Sequence, residues 1–146
     1  MSGSPLILDA SVVVKLALEE EYSEACEDLF TLDRPLWAPD LMPIEVGNIL
    51  WKAVQRGRCS PLEAREALAK THRAPIRVME TGPYQDRAMT LALAHGRSFY
   101  DALYLALAQT EGGIFVTADE RMVNALQGTP MAPYLHWIGA VTVLEA

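Results

Sequence analysis

Apolar and polar positions along the chain follow two periods. Leu6-Ile7-Leu8 and Ile114-Phe115-Val116 are short unbroken apolar runs, the first ending at Asp9 and the second leading through Thr117-Ala118 to Asp119. Such runs predict strands buried on both faces, as in a parallel sheet. Runs at 36–38 and 76–80, and an alternating stretch at 137–144, predict three more strands. Between them, apolar residues recur at helical spacing. The pattern predicts helices over 11–21 with Ser11 as cap, 22–32 with Ala25, Cys26, Leu29 and Phe30 as its stripe, and 40–56 with Asp40 as cap. Ser60-Pro61-Leu62-Glu63 is a capping box with proline at the first helical position, and opens a helix to about residue 71. Further helices are expected at 84–94, at 99–110 capped by Ser98 and closed by Gly112-Gly113, and at 120–126 capped by Asp119. Strands alternating with helices mean an α/β fold: a three-layer α/β/α sandwich around a parallel sheet of about five strands, joined by right-handed crossovers.

A chain of 146 residues with this pattern is read as one domain over 1–146. The basic helix pair at about 45–71 is a candidate appendage projecting from the sheet. No apolar run approaches a membrane span of ~18 residues, and Met1 to Pro5 carries no basic leader. Cys26 and Cys59 stand in no metal or redox spacing, which fits a reducing, cytoplasmic setting with Cys26 as a buried thiol.

Charge changes the picture in one place. The chain carries −7 overall, from 19 acids against 12 Lys and Arg, which by itself argues against a nucleic-acid binder. Yet Lys52, Arg56, Arg58, Arg65, Lys70, Arg73 and Arg77 fall in one stretch with only Glu63 and Glu66, a local charge of +5. That stretch is either a solvated helix surface or an electrostatic footprint for a polyanion. The acids gather at Glu19-Glu20-Glu21, Glu24, Glu27 and Asp28, a solvated surface.

Four other acids are harder to place. In open α/β sheets the ligand site lies beyond the carboxyl ends of the strands, where Asp9 and Asp119 fall. Asp101 interrupts an almost wholly apolar helix, and Glu45 lies between Ile44 and Val46. A buried carboxylate must be paired or hold a cation. Each has a structural alternative. Asp119 can be a helix cap, Asp101 a dipole partner, and Glu45 a partner for Lys52 or a distant arginine; Asp9 has the weakest local role. Taken together, carboxylates sharing one cleft repel unless neutralised, and hard oxygen donors without Cys or His suit Mg²⁺ or Mn²⁺.

Asp9-Ala10-Ser11, Glu45 with Asn48, Tyr100-Asp101-Ala102-Leu103-Tyr104-Leu105-Ala106 and Thr117-Ala118-Asp119-Glu120-Arg121-Met122 together resemble the PIN-domain family. The subgroup most similar is the VapC-type toxins of toxin–antitoxin pairs, and the resemblance runs from Leu6 to Leu144. It implies a metal-dependent endoribonuclease that leaves a 5′-phosphate and a 3′-hydroxyl. Its catalytic and metal-binding acids map to Asp9, Glu45, Asp101 and Asp119, and its accessory hydroxyls to Ser11 and Thr117. It further implies an RNA substrate, an antitoxin partner and a homodimer, for which faces such as Leu29-Phe30 or Ile49-Leu50 are candidates. Lys52, Arg56, Arg58 and Arg73 then become candidate guides for the RNA backbone. Trp51 and Tyr100 can stack on bases, although as helix residues beside apolar neighbours they read more simply as core.

Alternatives remain open from sequence. A haloacid dehalogenase-like phosphatase needs a second Asp two residues after the first, where Ser11 stands. A receiver-like domain needs paired acids near the first strand and a late lysine, whereas Lys70 is the last. A housekeeping RNA-processing PIN nuclease, or an idle PIN module that binds RNA or protein, shares the same residues. No Gly-rich phosphate loop or nucleophile elbow is present.

Overall fold

The computed structural model describes residues 3–140. Five parallel strands form one sheet: β1 (Leu6–Leu8), β2 (Leu36–Pro39), β3 (Arg77–Met79), β4 (Ile114–Thr117) and β5 (Leu135–Trp137), in the order β3-β2-β1-β4-β5. Leu6, Ile7 and Leu8 pair with Ile114, Phe115 and Val116 on one side, and Leu6 and Ile7 pair with Leu36 and Trp37 on the other. All three β1 side chains are buried, as unbroken apolar runs at the middle of a covered sheet require.

The chain steps outward from β1 through β2 to β3, then crosses back to β4 and β5. Right-handed crossovers therefore place α1 (Ala10–Val13), α2 (Ser23–Leu29), α3 (Leu41–Gln55) and α4 (Pro61–His72) on one face of the sheet. They place α5 (Gln85–His95), α6 (Phe99–Glu111) and α7 (Glu120–Ala125) on the other. This is the expected α/β/α sandwich. α6 is its central buried helix, with every residue from Ala102 to Ala108 out of solvent, packed on β1, β2 and β4. Tyr104 stacks on Phe115 with ring centroids 4.9 Å apart. The turn after α6 passes so close to the start of β1 that a Cβ on Gly113 would lie 2.5 Å from the Pro5 carbonyl oxygen, so glycine is required there.

The helix caps read from sequence form as expected at three places. Ser60 Oγ accepts from Glu63 N, and Glu63 accepts from Ser60 N. Ser98 Oγ accepts from Asp101 N and Asp119 Oδ1 from Met122 N. Elsewhere the elements differ from the pattern. The first helix is capped by position at Asp9, not Ser11, and ends within two turns as a 3₁₀ segment, Val14–Leu16. Ser11 is committed to a longer-range contact instead. Asp40 holds the N-cap position of α3 without capping it, because its carboxylate accepts from Thr81 Oγ1 at 2.9 Å and so ties α3 to the segment after β3. Among the described residues the last strand is Leu135–Trp137, earlier than the expected 137–144, because these residues pair in register with Phe115–Thr117 of β4; residues 141–144 lie outside the described chain. Leu29 and Leu50, offered as interface residues, are core. Trp51 and Tyr100, read as core, are 58% and 60% exposed.

Candidate active site

The strand order reverses between β1 and β4, so their carboxyl ends flank the switch point at which an open α/β sheet leaves a crevice. Asp9 follows β1 and is anchored across that point: its N–H donates to Val116 O at 3.0 Å. Its side-chain Oδ2 accepts from Ser11 Oγ at 2.8 Å and from Thr117 Oγ1 at 2.7 Å. Each hydroxyl has a second task. Ser11 Oγ accepts from Ala118 N, and Thr117 Oγ1 accepts from Asp119 N. The three residues thus form one network that joins β1, α1, β4 and the entry to α7. Oδ1 of Asp9 takes part in no hydrogen bond among the described residues.

Glu45 and Asp101 approach from the two helical layers. Glu45, in the second turn of α3, accepts at Oε1 from Tyr104 Oη at 2.6 Å. Tyr104 is buried within α6. Asp101 lies in the first turn of α6, where Arg97 Nη2 stands 3.6 Å from its Oδ2. No three of the His, Cys, Asp and Glu side chains among the described residues converge into a ready-made ion cage.

The electrostatics nonetheless treat these acids as one group. Burial pushes Asp9 up to about 6, against the stabilising bonds from Thr117 and Ser11, and the charges of Glu45 and Asp101 push it further. Burial raises Glu45 too; the Tyr104 bond opposes this and the Asp101 charge adds to it. Asp101 is raised by burial and by Asp119, while Arg97 pulls it down. Tyr104 is held far above its ordinary value by burial and by the charges of Asp9 and Glu45, so it stays a hydrogen-bond donor. Carboxylates that raise one another's proton affinity in a partly desolvated cleft are relieved by protonation or by a nearby cation. The donor set is all hard oxygen, which fits Mg²⁺ or Mn²⁺.

All six residues expected from sequence at this centre therefore share it, by contact or by charge. The basic candidates do not. Lys52, in the last turn of α3, Arg56 and Arg58, just after it, and Arg73, just after α4, are all exposed, and Arg58 ion-pairs with Glu20 at 3.1 Å. Two residues escaped sequence reading. Tyr104 looked like one more apolar residue of α6, and Arg97 stood just before a cap; its position four residues before Asp101 was the available signal.

Comparisons with known proteins agree with this fold. The family profile described as PIN domain matches residues 6–125. A relative named Ribonuclease VapC3, from Pyrobaculum aerophilum, is 35% identical over 121 residues, covering 82% of this chain and 92% of its own. A second from the same organism, named Exonuclease VapC9, is 29% identical over 123 residues, covering 84% and 86%. The crystal structure of PAE2754 from Pyrobaculum aerophilum superposes with a TM-score of 0.71 at 25% identity, covering 97% of this chain and 88% of that one.

Proposed function

The chain belongs to the PIN domain family, and from that premise we propose that it is a VapC-type toxin: a divalent-metal-dependent endoribonuclease working in the cytoplasm and neutralised by a cognate antitoxin. The observation that carries this reading is the Asp9 network, with the mutual charge coupling of Asp9, Glu45 and Asp101 at the switch point. Ribonuclease VapC3 supports hydrolysis of RNA by its name, and the homodimer and the antitoxin follow from the VapC resemblance.

Asp9, Glu45, Asp101 and Asp119 are the residues to hold Mg²⁺ or Mn²⁺. Such an ion supplies Lewis acidity, lowering the pKa of an attacking water and offsetting charge on the leaving oxygen. The chain's own contribution is placement. Ser11 and Thr117 fix one oxygen of Asp9 and leave the other for the ion. Tyr104 does the same for Glu45. The Met122 N–H holds Asp119 Oδ1, leaving Oδ2. Carboxylates fixed in this way need little reorganisation when a cation and a phosphodiester arrive.

The test is cleavage of a mixed RNA pool by partner-free protein, in Mg²⁺ or Mn²⁺ against EDTA, beside Asp9→Asn. Metal-dependent internal cuts that the substitution abolishes are expected. Digestion from one end only would replace the endonuclease with an exonuclease, the activity in the name VapC9. Folded protein that cuts nothing in either metal would leave an idle binding module.

A further inference from the structure

Arg97 makes the only ion pair with any of the four acids among the described residues, and its resting pose is poorly satisfied. Its Nη2 sits 3.6 Å from Asp101 Oδ2, beyond hydrogen-bond length. Its Nε is out of water and has no acceptor. A buried guanidinium nitrogen without a partner is unfavourable, and a loose ion pair offsets little of that. Nε and Nη2 lie on the same side of the guanidinium and form the fork that grips two oxygens of a phosphate. Here one tine is loosely engaged and the other empty. Rotation about the outer side-chain bonds would give both an acceptor if a phosphodiester stood beside Asp101.

Three residues on, Tyr100 lies in the first turn of α6 and is 60% exposed. It is the immediate neighbour of Asp101, whose charge acts on both Asp9 and Glu45. An exposed aromatic beside an acidic centre has no structural task, yet offers a base a face to stack on. A base within a duplex is stacked on its neighbours and does not present that face; a base in a single strand does.

We propose that Arg97 and Tyr100 form a grip for single-stranded RNA at the mouth of the acidic site, Arg97 taking a phosphate and Tyr100 stacking on an adjoining base. This rests on the ribonuclease reading above and assigns the holding of the strand to two side chains outside the carboxylate set. The grip also sets a cation beside the four carboxylates of a chain of net charge −7, where a polyanion has to arrive.

The test is fluorescence anisotropy of a labelled 12-nucleotide RNA with the full chain in Mg²⁺, in the Asp9→Asn background, with probe integrity followed on a gel. Arg97→Gln should weaken binding about tenfold and reduce the slope of log affinity against log salt by about 0.7, one phosphate contact on a single strand. Tyr100→Ala should weaken it about 5- to 150-fold while Tyr100→Phe stays near the parent, the range for one stacked base. Tyr100→Ala should cost nothing further on an abasic strand, and the duplex form of the probe should bind more weakly. Calorimetric Mn²⁺ affinity should be unchanged or tighter in Arg97→Gln, because the guanidinium competes with the ion. Parent-like RNA binding by both variants, equal binding of duplex, or lost Mn²⁺ affinity in Arg97→Gln would each overturn the grip. If cleavage by the wild type persists in that case, the nuclease reading survives; a wild type that neither binds nor cuts RNA removes both.

Discussion

Tyr104 donates a 2.6 Å hydrogen bond to Glu45 across 59 residues of sequence, from a helix whose neighbouring residues are all buried. The ring is fixed by stacking on Phe115, so the hydroxyl cannot drift, and it holds Glu45 as a rigid post would. Residues that orient a ligand without touching the ion typically change affinity by about 10- to 100-fold. Tyr104→Phe, which keeps the ring and its packing, should weaken Mn²⁺ binding by at least about tenfold in calorimetry. Unaltered Mn²⁺ affinity would show that Glu45 needs no such support.

Asp9 predicts the stability cost of the site. Its folded-state pKa of about 6 exceeds the ordinary 3.8, so protonated Asp9 is favoured in the fold. Its contribution is therefore fully present below about pH 4 and lost as pH rises through about 6. Each tenfold difference in proton affinity between the folded and unfolded chain is worth about 1.4 kcal/mol. In EDTA, Asp9→Asn should therefore stabilise the protein by about 1–3 kcal/mol at pH 8 and by almost nothing at pH 4. Denaturant melts at the two pH values check this. A variant less stable than the wild type at pH 8 would mean that Ser11 and Thr117 fully offset the burial of the charge.

Much of this was legible in the chain because the signals are local. Leu6 to Leu8 and Ile114 to Val116 announce buried strands by composition, and the Ser60–Glu63 box announces a helix start. Asp9, Glu45, Asp101 and Asp119 stood out because strand ends and misplaced acids point to one place, whereas Ser11 and Thr117 entered only through the family resemblance. What was not legible depends on strand order. Ser11 looks like a cap within its own segment, but its hydroxyl donates to Asp9 and, once β4 lies beside β1, accepts from Ala118. Asp40 is likewise drawn to Thr81, 41 residues away. Trp51 and Tyr100 have apolar neighbours in sequence, yet the side of the helix they occupy faces water, which only packing decides. Tyr104 shows the converse: a polar tip inside an apolar run marks a hidden partner.

The two cysteines should separate cleanly. Cys26 is fully buried, its Sγ donating to Val12 O, and burial pushes the thiol up to about 12. At pH 8 its reactive thiolate fraction is then on the order of 10⁻⁴. Cys59 is partly exposed between α3 and α4. Ellman's reagent at pH 8 should titrate one thiol in native protein and a second only in denaturant. Two fast thiols in the native state would mean that the α1–α2 contact opens readily.

Glu20 decides how the basic helices should behave toward RNA. One of its oxygens takes buried Lys15 at 3.0 Å and the other takes Arg58 at 3.1 Å. Arg58 is thus already countered, whereas Arg56 is exposed and enters no ion pair among the described residues. Reversing both to Glu at once, the obvious test of a basic footprint, would confuse two effects, because a carboxylate at 58 would face Glu20 and disturb its hold on Lys15. Single neutral substitutions separate them. Arg58→Gln should lower stability by no more than about 1 kcal/mol, as for an exposed pair, with little change in RNA affinity. Arg56→Gln should leave stability unchanged and, if α3 guides the backbone, flatten the salt dependence by about 0.7. A flat response to Arg56→Gln, with a full response to Arg97→Gln, would assign the electrostatic steering to the site itself and leave the +5 stretch a solvated surface.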